Sequence, residues 1–473
     1  MMSEPTPETL QMLSRCGQQP LLQILDQLPA AEADQLLQIL LDADLEMLVQ
    51  AWRNADAEPV TAPKSNRAET ASAPANVVWQ PQSEQDHQRW IQATAAGEEE
   101  LSAGNVAVIT VAGGQGTRLG FDQPKGMFPI GPHSGRTLFQ IFAEQIQARR
   151  QRYAAPIPWL IMTSSATHSA TVEFFQQQAF FGLDQRTVHF FQQGSLPALD
   201  ARTGQVLFAR PGVPALSPDG HGGLLRALKR SGLQQQMSEQ GIRHLYYHQV
   251  DNPTAIVADP ALIGFHNTHK SQLTTLVVSK TSPEERMGAL VEIDGRTEII
   301  EYSELTPQQA ARKDSTGQWV FWAGNTAVHV FCPEFLQQLT NGDRNLPLHV
   351  ARKMVPCVDL QGQPVPAADS AVPNAVKLER FIFDALPAAE RTLIVEGCRE
   401  RQFNPVKNAT GSDSADTCRE ALNRIAGEWL RRAGLQLRSE AAVEVSPLQA
   451  LDAEQLSMRV AEGELQLSDF LMD

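Results

Sequence analysis

Gly113, Gly114 and Gly116 stand in one short segment, Val111-Ala-Gly-Gly-Gln-Gly-Thr-Arg-Leu-Gly120, which runs on to Pro124-Lys125-Gly126. Backbone approaches a polyphosphate closely only where side chains are missing, and the exposed N–H groups then donate to phosphate oxygens. Arg118 and Lys125 add cations able to offset the charge collecting on a departing pyrophosphate. The segment is not a P-loop, because no G-K-[ST] ending follows. It also fails the dinucleotide-loop spacing, because Leu119 holds the place of the third glycine. A plain glycine-rich turn would not call for the added cations, so the pattern favours a phosphate cradle with Ala112 at its root.

The second chemical signal is Asp251, just after the strand-like run Leu245 to Val250. A carboxylate there faces the crevice where open α/β sheets take ligands, although a turn cap before Asn252-Pro253 is the plain alternative. Asp219 is a weaker candidate, since Pro218-Asp219-Gly220 is an ordinary turn. A net charge of −15 argues against general binding to nucleic acid or anionic membranes, so anionic substrates would need a local positive field. Five scattered cysteines, Cys16, Cys332, Cys357, Cys398 and Cys418, contain no C-x-x-C pair and point to free thiols in a reducing compartment. Glu4 and Glu8 precede any apolar run, unlike a secretory leader, and stretches such as Val106 to Ile109 are too short to span a bilayer; the cytoplasm is expected.

The elements that must position these groups follow from periodicity. With 473 residues, 42% hydrophobic and 20% charged, the chain can bury a large core with smaller appendages. Residues 6 to 53 carry leucines at helical spacing and predict two or three short amphipathic helices, a structural flank unless they bind a protein partner. Asn54 to Asn76, rich in Ala, Pro, Ser and Thr, reads as a flexible connector or exposed strap. From Asn105, the runs Val106 to Val111, Trp159 to Thr163, Leu245 to Val250 and Leu273 to Val278 alternate with helical patterns such as Thr137 to Arg150. That alternation predicts an α/β domain with a mainly parallel sheet. A helix over Cys418 to Ala433 and strand-like residues around Ala442 to Val445 close the chain. The segments expected are a helical flank with its connector over 1–100, a catalytic domain over 101–410 and a small C-terminal subdomain over 411–473.

The stretch Val111 to Gly126 resembles the signature of the eukaryotic-type UDP-sugar pyrophosphorylases, and most of all their N-acetylglucosamine branch. The likeness continues through Phe191-Gln-Gln-Gly194, Pro218-Asp-Gly-His-Gly-Gly-Leu224, Val250-Asp-Asn252, Glu301-Tyr-Ser303, Gly324-Asn-Thr326, Lys377-Leu-Glu-Arg-Phe-Ile-Phe-Asp384 and Pro405-Val-Lys-Asn408. It implies a Rossmann-like nucleotidyltransferase core with a mainly parallel, mixed sheet. It also implies that a sugar phosphate oxygen attacks the α-phosphorus of UTP and pyrophosphate leaves in line, by alignment and charge neutralisation without a covalent nucleophile. Carried over residue by residue, Asp251 helps hold Mg2+, and Arg118, Lys125 and Lys407 are the catalytic cations. UTP falls to Ala112, Gly113, Gly114, Gly116, Lys125, Gln193 on the uracil edge, Gly222 through its backbone, and Lys377. The sugar phosphate falls to His221, Gly288, Glu301, Asn325 and Lys407. Without the resemblance, Lys377, Lys407 and Glu301 would read as surface residues, Asn325 as a turn, and Phe381 and Phe383 as core.

His221 departs from the N-acetylglucosamine branch, which has asparagine there, and matches glucose-using relatives with their His-Gly pair. The Gly113 to Arg118 loop fits the N-acetyl branch better, so N-acetylglucosamine 1-phosphate is the expected acceptor, with glucose 1-phosphate or a broad sugar range as the alternative. A non-catalytic nucleotide-sugar sensor would have no evident need for Arg118, Lys125, Asp251 and Lys407 together. The tail after Lys407 is short for the family, and a homo-oligomer is left open.

Overall fold

A computed structural model describes residues 6–57, 67–341, 346–359, 361–365, 372–438 and 442–470. The chain forms two compact units, a smaller one of Met1–Lys64, Gln193–Arg226 and Arg344–Asp384, and a larger one of Ser65–Gln192, Ala227–Asp343 and Ala385–Asp473. These bounds are not those of 1–100, 101–410 and 411–473, which stay a division by sequence character.

In the larger unit the β-branched and aromatic runs become strands because their side chains pack on a pleated surface buried on both faces. The strands are β1 (Val77–Val78), β2 (Val106–Val111), β3 (Trp159–Thr163), β4 (Val188–Gln192), β5 (His244–Gln249), β6 (Leu273–Ser279), β7 (Ala289–Ile293), β8 (Arg296–Ile300), β9 (Ala323–Phe331) and β10 (Thr392–Glu396). They form a ten-stranded sheet in the order β1-β10-β6-β9-β5-β2-β3-β4, with the β7-β8 hairpin joined to β9. The pairings are parallel except where β9 runs antiparallel to β5 and β6, and in the β7-β8 hairpin with its junction to β9. The α/β, mainly parallel expectation holds, and β9 supplies the mixed character.

Helices cover this sheet with apolar faces. Thr137 caps Leu138–Tyr153, whose Phe139, Phe142 and Ile146 are fully buried with Trp159 and Phe175. A Ser83–Asp86 capping box starts Glu84–Ser102, which crosses Pro260–Thr268 at Gly97 and Gly264. A Cβ on either glycine would fall inside the backbone of the other helix, so only glycine permits this approach.

The last predicted helix spans Ala415–Arg432, starting earlier than Cys418 because Ser414 and Thr417 form a capping box. Of the strand-like residues Ala442 to Val445, Val443 alone makes a β-bridge, and it packs with Ala426, Leu430, Leu456 and Phe470.

In the smaller unit, residues 6–57 form four helices, Pro7–Arg15, Pro20–Gln27, Ala30–Asp42 and Leu45–Ala57, rather than two or three. Asp44, at φ 58, makes the tight break between the last two. Their Leu13, Leu21, Leu36, Leu40 and Leu48 share one apolar cluster with Leu199, Val376 and Leu378. Those partners come from a three-stranded sheet of Leu199–Asp200, Ala375–Glu379 and His349–Lys353. The flank is therefore packed onto strands far away in sequence.

The expected connector Asn54 to Asn76 falls partly outside the described residues, at 58–66. Its described part is no loose linker. Helix Leu45–Ala57 continues past Asn54, Arg67–Thr70 is helical, and Ser72 exchanges backbone hydrogen bonds with Glu292, both at 2.9 Å. Ala68 and Ala71 are buried with Val291 and Ile300. Among the described residues, no helix is long and apolar enough to cross a membrane.

Candidate active site

The glycine segment leaves the C-terminal end of β2, and Asp251 leaves that of β5, immediately beside it. The two strands pair in parallel with Gln249 opposite Val111, and Val250 N–H donates to the Val111 carbonyl at 3.1 Å. On one side of this junction the chain order runs outward through β3 and β4; on the other lies β5, entered after a long excursion. Such a reversal opens a crevice at the strands' carboxyl ends.

The loop's shape is fixed by its own backbone. Ala112 N–H donates to Met162 O at 2.8 Å, Lys125 N–H to Gly114 O at 3.0 Å and Gly116 N–H to Gln123 O at 2.9 Å. Ser164 Oγ donates to Gly113 O at 2.8 Å. A Cβ at Gly116 would meet Phe121 O at 2.7 Å, whereas one at Gly114 would meet nothing within 4 Å. Gly116 thus serves the fold of the loop, and Gly114 keeps its outer surface bare.

Lys125 Nζ lies 3.7 Å from Asp251 Oδ2, and both side chains are mostly buried, with 18% and 16% exposed. The same ammonium donates to Val406 O at 3.4 Å. Val406 N–H in turn donates to Asp251 O at 2.7 Å, which seats Lys407 next to the carboxylate turn. Lys407 Nζ stands 5.4 Å over the Phe403 ring and 3.7 Å from Asp413 Oδ2. Glycine loop, Lys125, Asp251 and Lys407 are therefore brought together. Arg118, in the short turn Thr117–Leu119, is exposed at the loop's rim.

Gly288, Glu301 and Asn325 form a second cluster in the same unit. Asn325 N–H donates to Gly288 O at 2.8 Å, and a Cβ on Gly288 would meet Glu301 Oε1 at 2.7 Å. The β6-β9 register shifts after Leu276, and Ala327 there adopts φ 57. Asn325 Oδ1 supports that bulge by accepting from Ala327 N–H at 2.9 Å. Phe403, under Lys407, packs with Met287 next to this cluster.

The smaller unit holds Gln193, His221, Gly222 and Lys377. Gln193 follows β4 directly, and the next carbonyl, Gly194 O, accepts from Asp219 N–H at 3.1 Å. Arg380 N–H donates to Asp219 O and Gly222 N–H to Arg380 O, both at 2.8 Å. A Cβ on Gly222 would lie 2.7 Å from Arg380 C, so this close approach requires glycine. Lys377 is on strand Ala375–Glu379 leading to that contact. His221 Nδ1 accepts from Ile382 N–H at 3.1 Å, and its ring stacks on Phe381 at 5.2 Å. Burial, with His349 nearby, pushes His221 down to about 4, so the ring is neutral at neutral pH with its proton on Nε2.

Sequence reading missed Asn252. It is 3% exposed; its Nδ2 donates to Gln402 O at 2.7 Å, and its Oδ1 accepts from Asn404 N–H at 3.1 Å and Thr254 Oγ1 at 3.0 Å. A polar amide in a turn between apolar runs was the available signal. Its two backbone partners lie some 150 positions away and leave no local trace.

Among the described residues, no three His, Cys, Asp or Glu groups converge as a protein cage for a metal. Asp251 suits a divalent cation that takes a single protein carboxylate and completes its oxygen shell from phosphates and water.

Comparison with known proteins agrees with this geometry. The sequence profile of the family described as UTP--glucose-1-phosphate uridylyltransferase matches residues 64–425. The UDP-N-acetylglucosamine pyrophosphorylase of Saccharomyces cerevisiae is 36% identical over 372 residues, covering 76% of this chain and 77% of the relative. UDP-N-acetylglucosamine diphosphorylase 2 of Arabidopsis thaliana is 33% identical over 483 residues, covering 96% and 91%. The crystal structure of the Trypanosoma brucei uridine diphosphate N-acetylglucosamine pyrophosphorylase in complex with inhibitor superposes with a TM-score of 0.79 at 26% identity, covering 96% and 94%. The chain belongs to the UTP–glucose-1-phosphate uridylyltransferase family and is a nucleotidyltransferase that makes UDP-sugars.

Proposed function

We propose that the enzyme transfers UMP from UTP to N-acetylglucosamine 1-phosphate, releasing pyrophosphate, with magnesium as its ion and the cytoplasm as its compartment. The observation that carries the reaction is the convergence of the glycine loop, Lys125, Asp251 and Lys407 at the ends of β2 and β5. Bare N–H groups of the loop hold the UTP phosphates, with Lys125 and Arg118 drawing the charge that develops on the leaving pyrophosphate. Lys407 aligns the sugar phosphate for in-line attack. Asp251 would hold Mg2+, which supplies further charge neutralisation on the phosphate oxygens when bound. Gln193 reads the uracil edge, Gly222 contributes backbone, and Lys377 contacts UTP. His221 is assigned with the sugar-preference residues.

On the sugar side, Gly288, Glu301 and Asn325 match hydroxyls and an N-acetyl carbonyl. N-acetylglucosamine also appears in the names of the yeast, plant and trypanosome relatives. Glucose 1-phosphate is the second reading, favoured by His221. The test is pyrophosphate release from UTP and Mg2+ against a panel of hexose 1-phosphates, with and without chelator. A chelator-sensitive preference for N-acetylglucosamine 1-phosphate is expected, whereas a preference for glucose 1-phosphate would move the sugar and keep the reaction. His221→Asn preserves an acceptor for Ile382 N–H. Unchanged relative efficiency for the two sugars in that variant would remove His221 as a determinant.

A further inference from the structure

We propose that Asn252 is a positioning residue that fastens the Gln402–Lys407 segment to the turn carrying Asp251, so that the metal-holding carboxylate and the sugar-phosphate cation move as one piece. The inference rests on the roles given above to Asp251 and Lys407.

The segment is held along its length by the turn. Asn252 Nδ2 donates to Gln402 O at 2.7 Å, and Asn252 Oδ1 accepts from Asn404 N–H at 3.1 Å. Asn404 Nδ2 donates to Thr254 Oγ1 at 3.1 Å, and Val406 N–H donates to Asp251 O at 2.7 Å. Asn252 supplies a donor and an acceptor, on two separate atoms, to backbone of the distant segment, and an ionised aspartate, which only accepts, does not reproduce that pair. Buried at 3% exposure, it cannot trade those bonds for water, so truncation leaves Gln402 O and Asn404 N–H to find new partners by moving. Lys407 lies three residues beyond Asn404 and shares the displacement. Lys125 also touches this segment through Val406 O.

A purely structural asparagine would lower stability and leave the chemistry of the folded enzyme alone. A positioning asparagine lowers kcat, because an error of about 1 Å in aligned reactants can cost ~100-fold. It does so only while Lys407 is present to be positioned. The experiment is a double-mutant cycle on the full-length enzyme with Asn252→Ala and Lys407→Ala, read as kcat and as KM for UTP and for the sugar 1-phosphate under temperatures where all variants are folded. Expected are a ~10- to 100-fold fall in kcat for Asn252→Ala with KM for UTP within ~3-fold of wild type, and a further fall under ~3-fold when it is added to Lys407→Ala. Multiplying effects, or unchanged kcat in Asn252→Ala, would overturn the positioning role while leaving Lys407 intact. Unchanged turnover in Lys407→Ala alone would instead sink the functional reading on which it rests. Should Asn252→Ala fail to fold, Asn404→Ala removes the tether to Thr254 and enters the same cycle, where the same non-multiplying pattern is expected and independence from Lys407 overturns the proposal.

Discussion

The two units offer their candidate residues in different ways. In the larger one, Lys125, Asp251 and Lys407 carry the assigned chemistry as charges, anchored where parallel strands end in register. In the smaller one, the stretch from Gln193 to Gly222 and on to Ile382 is stitched by backbone hydrogen bonds, a mandatory glycine and a histidine kept neutral. Polyphosphate needs charge that can respond as bonds break. A flat base edge needs donors and acceptors that do not move. The difference predicts that damage to the first region appears in turnover and damage to the second in affinity and stability.

The largest expected effect comes from the charges. Lys125→Ala and Asp251→Asn should each lower kcat by ~100- to 1,000-fold, the range for removing one preorganised transition-state group. Their thermal melting should fall too, since each substitution leaves a mostly buried partner without its counter-charge, but the loss of turnover should be the larger effect in folded protein. Steady-state kinetics beside a melting curve checks this, and a large stability loss with normal turnover would reverse the contrast. Gly222→Ala is the matching insult to the smaller unit. Its methyl group would press on the Arg380 backbone, so a loss of about 1–3 kcal/mol in denaturant unfolding is expected. KM for UTP should rise ~10-fold, worth about 1.4 kcal/mol, with kcat less affected. A collapse of kcat alone would erase the distinction.

Acid should separate the histidines from both regions, because its effect falls on stability alone and builds gradually with pH. Burial pushes His221 and His248 down to about 4 and His266 to about 3, against an ordinary 6.5. Because the folded values lie below the unfolded ones, the unfolded chain takes up protons first as pH falls. Stability is therefore fully present above about 6.5 and is lost between there and about 4 for His221 and His248, and about 3 for His266, by at most about 1.4 kcal/mol per pH unit for each ring. His248→Gln should flatten the slope in urea midpoints measured from pH 7 to 4.5. A midpoint independent of pH in wild type would remove this burial account.

Much of this was legible from residues 105 to 330, where β-branched runs announce strands and the glycine loop falls directly after one. Trp159–Thr163 was placed to the residue, and Leu273–Ser279 within one. What stayed hidden was tertiary. The antiparallel β9 looks like any other apolar run, because local composition does not encode strand direction. The break at Asp44 carries neither glycine nor proline, so nothing in the local sequence marks it. At Ala442 to Val445 the strand-like residues shrink to a single bridge at Val443, which joins the apolar cluster of the neighbouring helix Ala415–Arg432. The candidate site divides in the same way. Lys125 and Asp251 stand out by type and position, whereas the backbone partners of Asn252 lie some 150 positions away.

The crossing of helices Glu84–Ser102 and Pro260–Thr268 bears on how mutational surveys of this enzyme should be interpreted. Gly97 and Gly264 face backbone with no room for a methyl group, yet neither belongs to the loop, the Asp251 turn or the cluster of Gly288, Glu301 and Asn325. In a growth-based selection scanning every position, both would score as intolerant as Lys125. Only a parallel count of intact protein per cell would separate them, with abundance collapsing at the two glycines and remaining normal at the lysine.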